Sequence, residues 1–262
     1  MHEYLNEHQK TAVYALEELD RICKKYDINY YLLAGSALGA VRHEGMIPWD
    51  DDIDVGLVYK EWIRLKKILP EEIKSPYEYC DYDQDKTFPR MFGKILCDKR
   101  SCIDLFLLAK WTDRNLSARI HWQIMRIATN FYLFSLHKKY AGKPGMSFLK
   151  KSRRMIFEGL RRFLYLLIRP FFGRDDFIRL AKWNEAFFET RPWDCYINLY
   201  SVYSMEKEKI RREWVEKTAT VTFEGKKYTS FGDLNAYLTH LYGDYMTPPA
   251  EKDRVATHEE RF

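Results

Sequence analysis

The strongest constraint on this chain is a set of carboxylates embedded in apolar strand sequence. The segment Leu33–Val58 reads LAGSALGAVRHEGMIPWDDDIDVGLV. Its end, Ile53–Val58, alternates as a strand, and residues two apart in a strand point the same way. Asp52 and Asp54 therefore present two carboxylates on one face, while Ile53 and Val55 anchor the other. Two hard oxygen ligands on a rigid element suit Mg²⁺ or Mn²⁺, ions that keep waters and bind substrate phosphates. Upstream, the strand pattern Tyr30–Leu33 stops at Gly35-Ser36, and Ser36–Arg42 can open a helix. A Gly-Ser turn there lets backbone N–H groups approach a phosphate, and the helix N-terminus favours its charge. Two blander readings compete. A solvated acidic loop does not suit acids set in apolar strand sequence. A calcium loop would place Asp50, Asp52, Asp54 and Glu61 at its ligand positions, but Val55 stands where the sharp turn needs glycine.

A third carboxylate, Asp104, lies within Cys102-Ile103-Asp104-Leu105-Phe106. An ionised group in such a strand is costly unless paired or metal-bound. One reading pairs it with a core arginine. The other sets it beside Asp52 and Asp54 as a ligand, a general base, or both.

Around these acids the pattern is α+β. His8–Lys25 carries one apolar helical face, and Tyr59–Leu69 is helical up to Pro70. Lys94–Cys97 and Cys102–Leu108 are strands joined by Asp98–Ser101. Asn115–His137, Ser147–Ile168 and Asp175–Glu189 are helical, separated by Gly142–Gly145 and Pro170–Gly173. Strands return at Tyr196–Tyr200, Thr218–Phe223 and Lys226–Phe231, the last two flanking a Glu224-Gly225 turn, and Gly232–Tyr242 is helical. The expected organisation is a mixed-sheet catalytic core over 1–109, a helical insertion over 110–191, and strands, helix and tail completing the core over 192–262.

Charge marks the insertion. Lys110–Arg191 holds 18 basic and 6 acidic residues, a net +12 on a chain whose total is +5, so the remainder carries −7. Such a surface meets anions or is an ordinary solvated helix face. Arg153, Arg154, Arg161 and Arg162 alternating with Phe157, Leu160, Phe163 and Leu164 suggest a helix lying on anionic lipid. No nucleic-acid motif accompanies the charge. The apolar run Phe163–Phe172 is broken by Arg169 and Pro170 and is too short to span a bilayer. Cys23, Cys80, Cys97, Cys102 and Cys195 are odd in number and lack CxxC spacing, which points to free thiols. With a polar Met1–Lys10, the expected location is cytoplasmic, peripheral on the inner face of the membrane.

Gly35, Leu38, Gly39, Arg42, Gly45, Ile47, Pro48, Trp49, Asp50, Asp51, Asp52 and Asp54 match a signature G-x-x-L-G-x-x-R-x-x-G-x-I-P-W-D-D-D-x-D. This segment resembles the LicD family, and so, less specifically, do Lys94–Asp104 and Tyr237–Pro249. The resemblance implies a nucleotidyltransferase-like mixed sheet flanked by helices. It also implies transfer of a phosphorylated alcohol from a CDP-activated donor to a glycan or lipid-linked glycan acceptor. Bacterial members of the family transfer phosphocholine to teichoic acid or lipopolysaccharide sugars; animal relatives transfer alditol phosphates. The family's metal-binding acids map onto Asp52 and Asp54, and its third acid onto Asp104. On that reading Mg²⁺ or Mn²⁺ is the cofactor, and Arg42 and Lys94 contact phosphate or else pair with the acids. A quaternary ammonium would need aromatic walls, for which Trp49, Tyr242 and Tyr245 are candidates unless they serve only packing. The alternatives are another alditol phosphate (ribitol or glycerol), a nucleotidyltransferase leaving its nucleotide on the acceptor, and a glycan- or lipid-binding module with a degenerate site.

Overall fold

The computed structural model describes residues 2–112, 116–136, 148–201, 203–251 and 254, with backbone alone for 148–156 and 158. The Gly142–Gly145 linker and the side chains of Arg153 and Arg154 therefore lie outside the described residues.

The chain opens with α1 (Glu7–Lys25), capped by Asn6, whose side chain accepts the Gln9 N–H while the Gln9 side chain accepts the Asn6 N–H. A short β1 (Tyr31–Leu32) leads into α2 (Ala34–His43), and β2 (Ile53–Val58) into α3 (Tyr59–Glu72). Next come β3 (Tyr77–Cys80), β4 (Gly93–Cys97) and the long β5 (Arg100–Trp111). Three helices follow: α4 (Leu116–Ser135), α5 (Phe148–Ile168) and α6 (Arg174–Ala186). The chain re-enters the sheet through β6 (Cys195–Asn198) and β7 (Lys209–Arg211). It continues with α7 (Arg212–Glu216), the hairpin β8 (Thr218–Phe223) and β9 (Lys226–Phe231), and α8 (Leu234–Tyr242).

The main sheet runs β1-β2-β5-β4-β3, and β6 and β7 extend it from the far end of β5. Among the described residues only β2 and β5 pair in parallel; the other neighbours are antiparallel, so the sheet is mixed and the fold is α+β. Strand alternation divides the chemistry. Ile53, Val55, Leu57, Ile103, Leu105 and Leu107 are buried with the apolar face of α1 and with Trp62 and Leu65 of α3. On the opposite face, Leu108 packs in a second core with Ala37 and Leu38 of α2 and Leu238 and Leu241 of α8. The long β5 serves both halves: its first part pairs with β4, its last with β6.

Several boundaries differ from the pattern in the sequence, for local reasons. The β4–β5 turn is two residues, Asp98 and Lys99, both at positive φ (50° and 63°), so β5 begins at Arg100 rather than Cys102. α3 runs past Pro70 to Glu72, with the proline in its last turn. β3, β7 and α7 are elements of three to five residues without a periodic signature of their own. The Glu224-Gly225 turn has positive φ at both positions (50° and 79°), as a two-residue hairpin with right-handed strand twist requires. Glu224 tolerates it because its buried carboxylate accepts the N–H of His2 at 2.6 Å and of Met46 at 3.0 Å. That pins the hairpin to the loop before β2.

Candidate active site

Asp54 and Asp104 are register partners on the parallel strands β2 and β5, so both side chains leave the sheet on one face. Asp52, two residues before Asp54, joins them: one carboxylate oxygen from each of the three lies within 4.8 Å of the others. Asp52 and Asp104 are buried and Asp54 half-buried. A second acidic group, Asp50, Asp51 and Asp52, shares Asp52 and extends the negative surface along the entering loop. The paired-carboxylate arrangement expected from the sequence is thus present, with Asp104 beside it.

Asp54 and Asp104 are held by other groups of the chain. The Gly35 N–H donates to Asp54 Oδ2 at 3.1 Å, and the Asp54 N–H donates to Ser36 Oγ at 2.8 Å. Gly35 and Ser36 therefore fasten α2 to β2 through Asp54. A Cβ at position 35 would sit 2.9 Å from Asp50 Oδ2 and 3.4 Å from Asp54 Oδ2, so a side chain there would displace the Asp50 carboxylate. Asp104 Oδ1 accepts Lys94 Nζ at 2.5 Å and the Ser101 hydroxyl at 2.7 Å. Lys94 faces Asp104 across β4 and β5 and is itself buried. Ser101 reaches the same face only because Cys102 is an extra residue: Ile95 pairs with Ile103 but Leu96 with Ser101, a bulge that shifts the alternation by one. Lys94 thus pairs with Asp104, one of the two roles open to it from the sequence.

Arg42 donates through Nη1 to the Tyr245 carbonyl at 2.8 Å, and its guanidinium lies 5.9 Å from the centre of the Trp49 ring. Burial in the first place holds its pKa below the usual arginine value. Arg254 lies 5.1 Å from the same ring and His43 meets it edge-on, so two guanidinium groups already flank Trp49. Tyr245 is buried, with its hydroxyl donating to the Asn235 side chain. Tyr242 feels the charge of Asp54 and Asp50. Burial raises its hydroxyl pKa first, with Tyr203, Tyr237, Asp54 and Asp50 adding to the rise. Tyr203 sits edge-on to Tyr242 at 6.4 Å, and its own rise has burial as first cause, with Glu208, Asp54 and Asp50 following. Phe106, two residues after Asp104 on the same strand face, is half-buried beside Phe92 at 4.7 Å. Its register partner on β2 is Gly56, whose missing side chain makes room for Leu108.

Sequence reasoning missed four contributors. The Gln9 side-chain amide donates to the carbonyls of Ile47, Pro48 and Asp50, holding the loop that delivers the acids. Tyr237 accepts the N–H of Ala34 at 3.1 Å, supporting a non-glycine residue at φ 43°. Ser101 and Tyr203 complete the set. Nothing local in the sequence shows that the Gln9 amide reaches carbonyls 38 to 41 residues away. A separate cavity of about 500 Å³ is lined by Lys66, Asp81, Tyr82, Asp83, Lys182 and Glu185 among others, and by none of the three converging acids.

The comparisons with known proteins fall on this geometry. A family model described as LicD/FKTN/FKRP, nucleotidyltransferase domain, matches residues 27–133, a stretch containing α2, β2, β5 and all three acids. The chain belongs to the LicD family. The lipopolysaccharide cholinephosphotransferase LicD of Haemophilus influenzae is 27% identical over 269 residues, covering 97% of this chain and 96% of that protein. Uncharacterized proteins of Rickettsia prowazekii and Rickettsia typhi are 34% and 31% identical over 105 and 111 residues. Those matches cover 40% and 42% of this chain, which spans only about a third of each rickettsial protein (36% and 33%). The likeness to the Haemophilus LicD protein also takes in the strands and helix beyond residue 133, including Tyr203, Tyr237 and Tyr242.

Proposed function

We propose that this LicD protein transfers phosphocholine from CDP-choline to a sugar hydroxyl of a lipopolysaccharide-type glycan and releases CMP. The observation that carries the reading is the convergence of Asp52, Asp54 and Asp104 on one sheet face. All three ligand atoms are carboxylate oxygens, a hard donor set that fits Mg²⁺ or Mn²⁺ better than the sulfur and nitrogen ligands favoured by zinc. A divalent cation held there supplies charge neutralisation at the donor diphosphate as CMP departs.

The chain's own residues do the rest. Gly35 and Ser36 keep Asp54 at the head of β2, and Lys94 and Ser101 keep Asp104 in register with it. The acceptor oxygen bonds to the phosphorus bearing choline, the bond to CMP breaks with its electron pair leaving on CMP, and the hydroxyl proton passes to Asp104. Tyr203 and Tyr242, which both feel the charge of Asp54 and Asp50, and Phe106, on the strand face that carries Asp104, would offer aromatic faces to a quaternary ammonium, each contributing about 0.5–2 kcal/mol. Trp49 is a poor wall because Arg42 and Arg254 already crowd its ring. Full-length likeness to a cholinephosphotransferase supports choline over ribitol or glycerol.

The test is to incubate the full chain and Mg²⁺ with CDP-choline, CDP-ribitol or CDP-glycerol, and to follow CMP release in the presence of a lipopolysaccharide acceptor. Release from CDP-choline that requires both metal and acceptor is expected. Release from CDP-ribitol or CDP-glycerol alone would move the donor, and none from any of the three would end the reading.

A further inference from the structure

Helix α5 turns an apolar stripe outward. Leu160, Phe163, Leu164 and Leu167 are each between 46% and 57% exposed. At 100° per residue they fall within an arc of about 100°. The helix meets the body of the protein elsewhere on its circumference. Tyr165 packs against Phe131, Phe134 and Phe177, and Arg162 lies over Phe134 at 5.5 Å. A surface helix ordinarily buries its apolar side and solvates the other; here the side away from the protein is apolar. Just past its end, Phe171 and Phe172 are 82% and 51% exposed and prolong the patch. A contiguous exposed apolar surface of this kind marks an interaction face.

Charge identifies the occupant. Between Phe148 and Pro170 the sequence holds seven lysines and arginines and a single acid, Glu158. Arg161, which borders the stripe, and Arg162 and Arg169 are all exposed. The stripe itself offers only leucine and phenylalanine, with no group to satisfy a polar partner, and its basic borders can reach outward along aliphatic stems. No described helix is long and apolar enough to cross a membrane. We infer that α5 lies in the headgroup layer of an anionic bilayer, its Leu–Phe stripe among acyl chains and its arginines on lipid phosphates. Each basic residue held at such a surface strengthens partition roughly fivefold, and salt screens the effect. Neither step uses the acid cluster, so the inference stands apart from the choice of transferred group.

The experiment is flotation of the full chain with vesicles of phosphatidylcholine alone or with about one-third phosphatidylglycerol, at about 0.05 M and 0.5 M salt. The expected result is binding at least about tenfold tighter to the anionic vesicles, weakened by salt. Phe163→Ser with Leu167→Ser should weaken it about tenfold while CMP release and melting temperature stay at parental values. Arg161→Glu with Arg169→Glu should abolish the preference for anionic lipid. Equal or negligible binding to both vesicle types, or unchanged binding of the serine variant, would overturn the inference. So would sedimentation showing that the same substitutions dissolve a dimer of this chain while vesicles are ignored.

Discussion

The acid face of the β2–β5 pair and the outward face of α5 carry opposite charges and are held in opposite ways. On the sheet, two of the acids are held by neighbouring elements: Asp104 by Lys94 of β4 and by Ser101, and Asp54 by Gly35 and Ser36 of α2. On α5, Arg161 and Arg169 stand exposed beside exposed leucine and phenylalanine. Buried charge is costly unless positioned and paired, whereas exposed charge is cheap and weakly held. The difference teaches where substitutions should register. Changes at the sheet should alter chemistry and stability in water; changes on α5 should alter neither, and should appear only when a surface is offered.

The largest effect expected at the sheet is on rate. Asp54→Asn keeps an acceptor for the Gly35 N–H but removes one of three clustered charges. CMP release should fall by about 10²–10³-fold, the scale of losing a preorganised electrostatic group. The apo protein should melt at or slightly above the parental temperature, because like charges have been relieved. Mg²⁺ should raise the melting temperature of the parent and not of the variant. Retained turnover at saturating Mg²⁺ would remove Asp54 from the site.

Lys94→Met tests the pairing itself. It leaves the buried Asp104 carboxylate with Ser101 alone, and losing one partner of a buried pair costs about 3–5 kcal/mol. Urea unfolding should show that loss without metal and recover part of it with Mg²⁺. A variant as stable as its parent would mean that Asp104 is not held by Lys94 in solution.

Much of this region was legible in the sequence, and for a definable reason. The limits of β2, β8 and β9 coincide with their patterns, because a period-two alternation fixes face and register together. The same alternation put Asp52 and Asp54 on one side. What stayed hidden depended on tertiary partners. The bulge at Cys102 brings Ser101 to Asp104, although three-residue spacing in a regular strand would separate them. Tyr203 and Tyr237 come from segments about 170 and 205 residues beyond β1, and no local pattern shows where either side chain reaches. For α5 the position is reversed. Its amphipathic pattern was plain, but sequence alone could not say that the apolar side faces outward.

A smaller effect concerns pH. Burial raises the Glu208 carboxyl to about 7, against the opposing hydrogen bond from the Ser201 hydroxyl. The folded state therefore favours the protonated form. Its stabilising contribution is complete below the ordinary glutamate value of 4.5 and is lost as pH rises toward about 7. Glu185 is likewise raised to about 7 and adds a slope of the same sign. Glu208→Gln should flatten the fall in stability between these pH values by up to about 3 kcal/mol, measured by urea unfolding across the interval. An unchanged slope would show that Glu208 is ionised in the folded protein.

The finest test of the contrast is Gln9, because it separates holding a helix from holding the loop. Its carbonyl completes the capping box with Asn6, and its amide nitrogen donates to Ile47, Pro48 and Asp50 at 3.3, 3.3 and 2.8 Å. Gln9→Glu preserves the cap, since glutamate serves equally well at that position. It replaces the donor with a buried oxygen facing three carbonyls. The loop should then lose its anchor at a cost of about 1–3 kcal/mol, with a several-fold fall in kcat/KM and no loss of α1 helicity by circular dichroism. Gln9→Ala removes both functions and should fray α1 as well. If Gln9→Glu kept parental activity, the approach of Asp50 and Asp52 to β2 would be set by the strand alone, and the acid face would be less dependent on remote partners than its hydrogen bonds suggest.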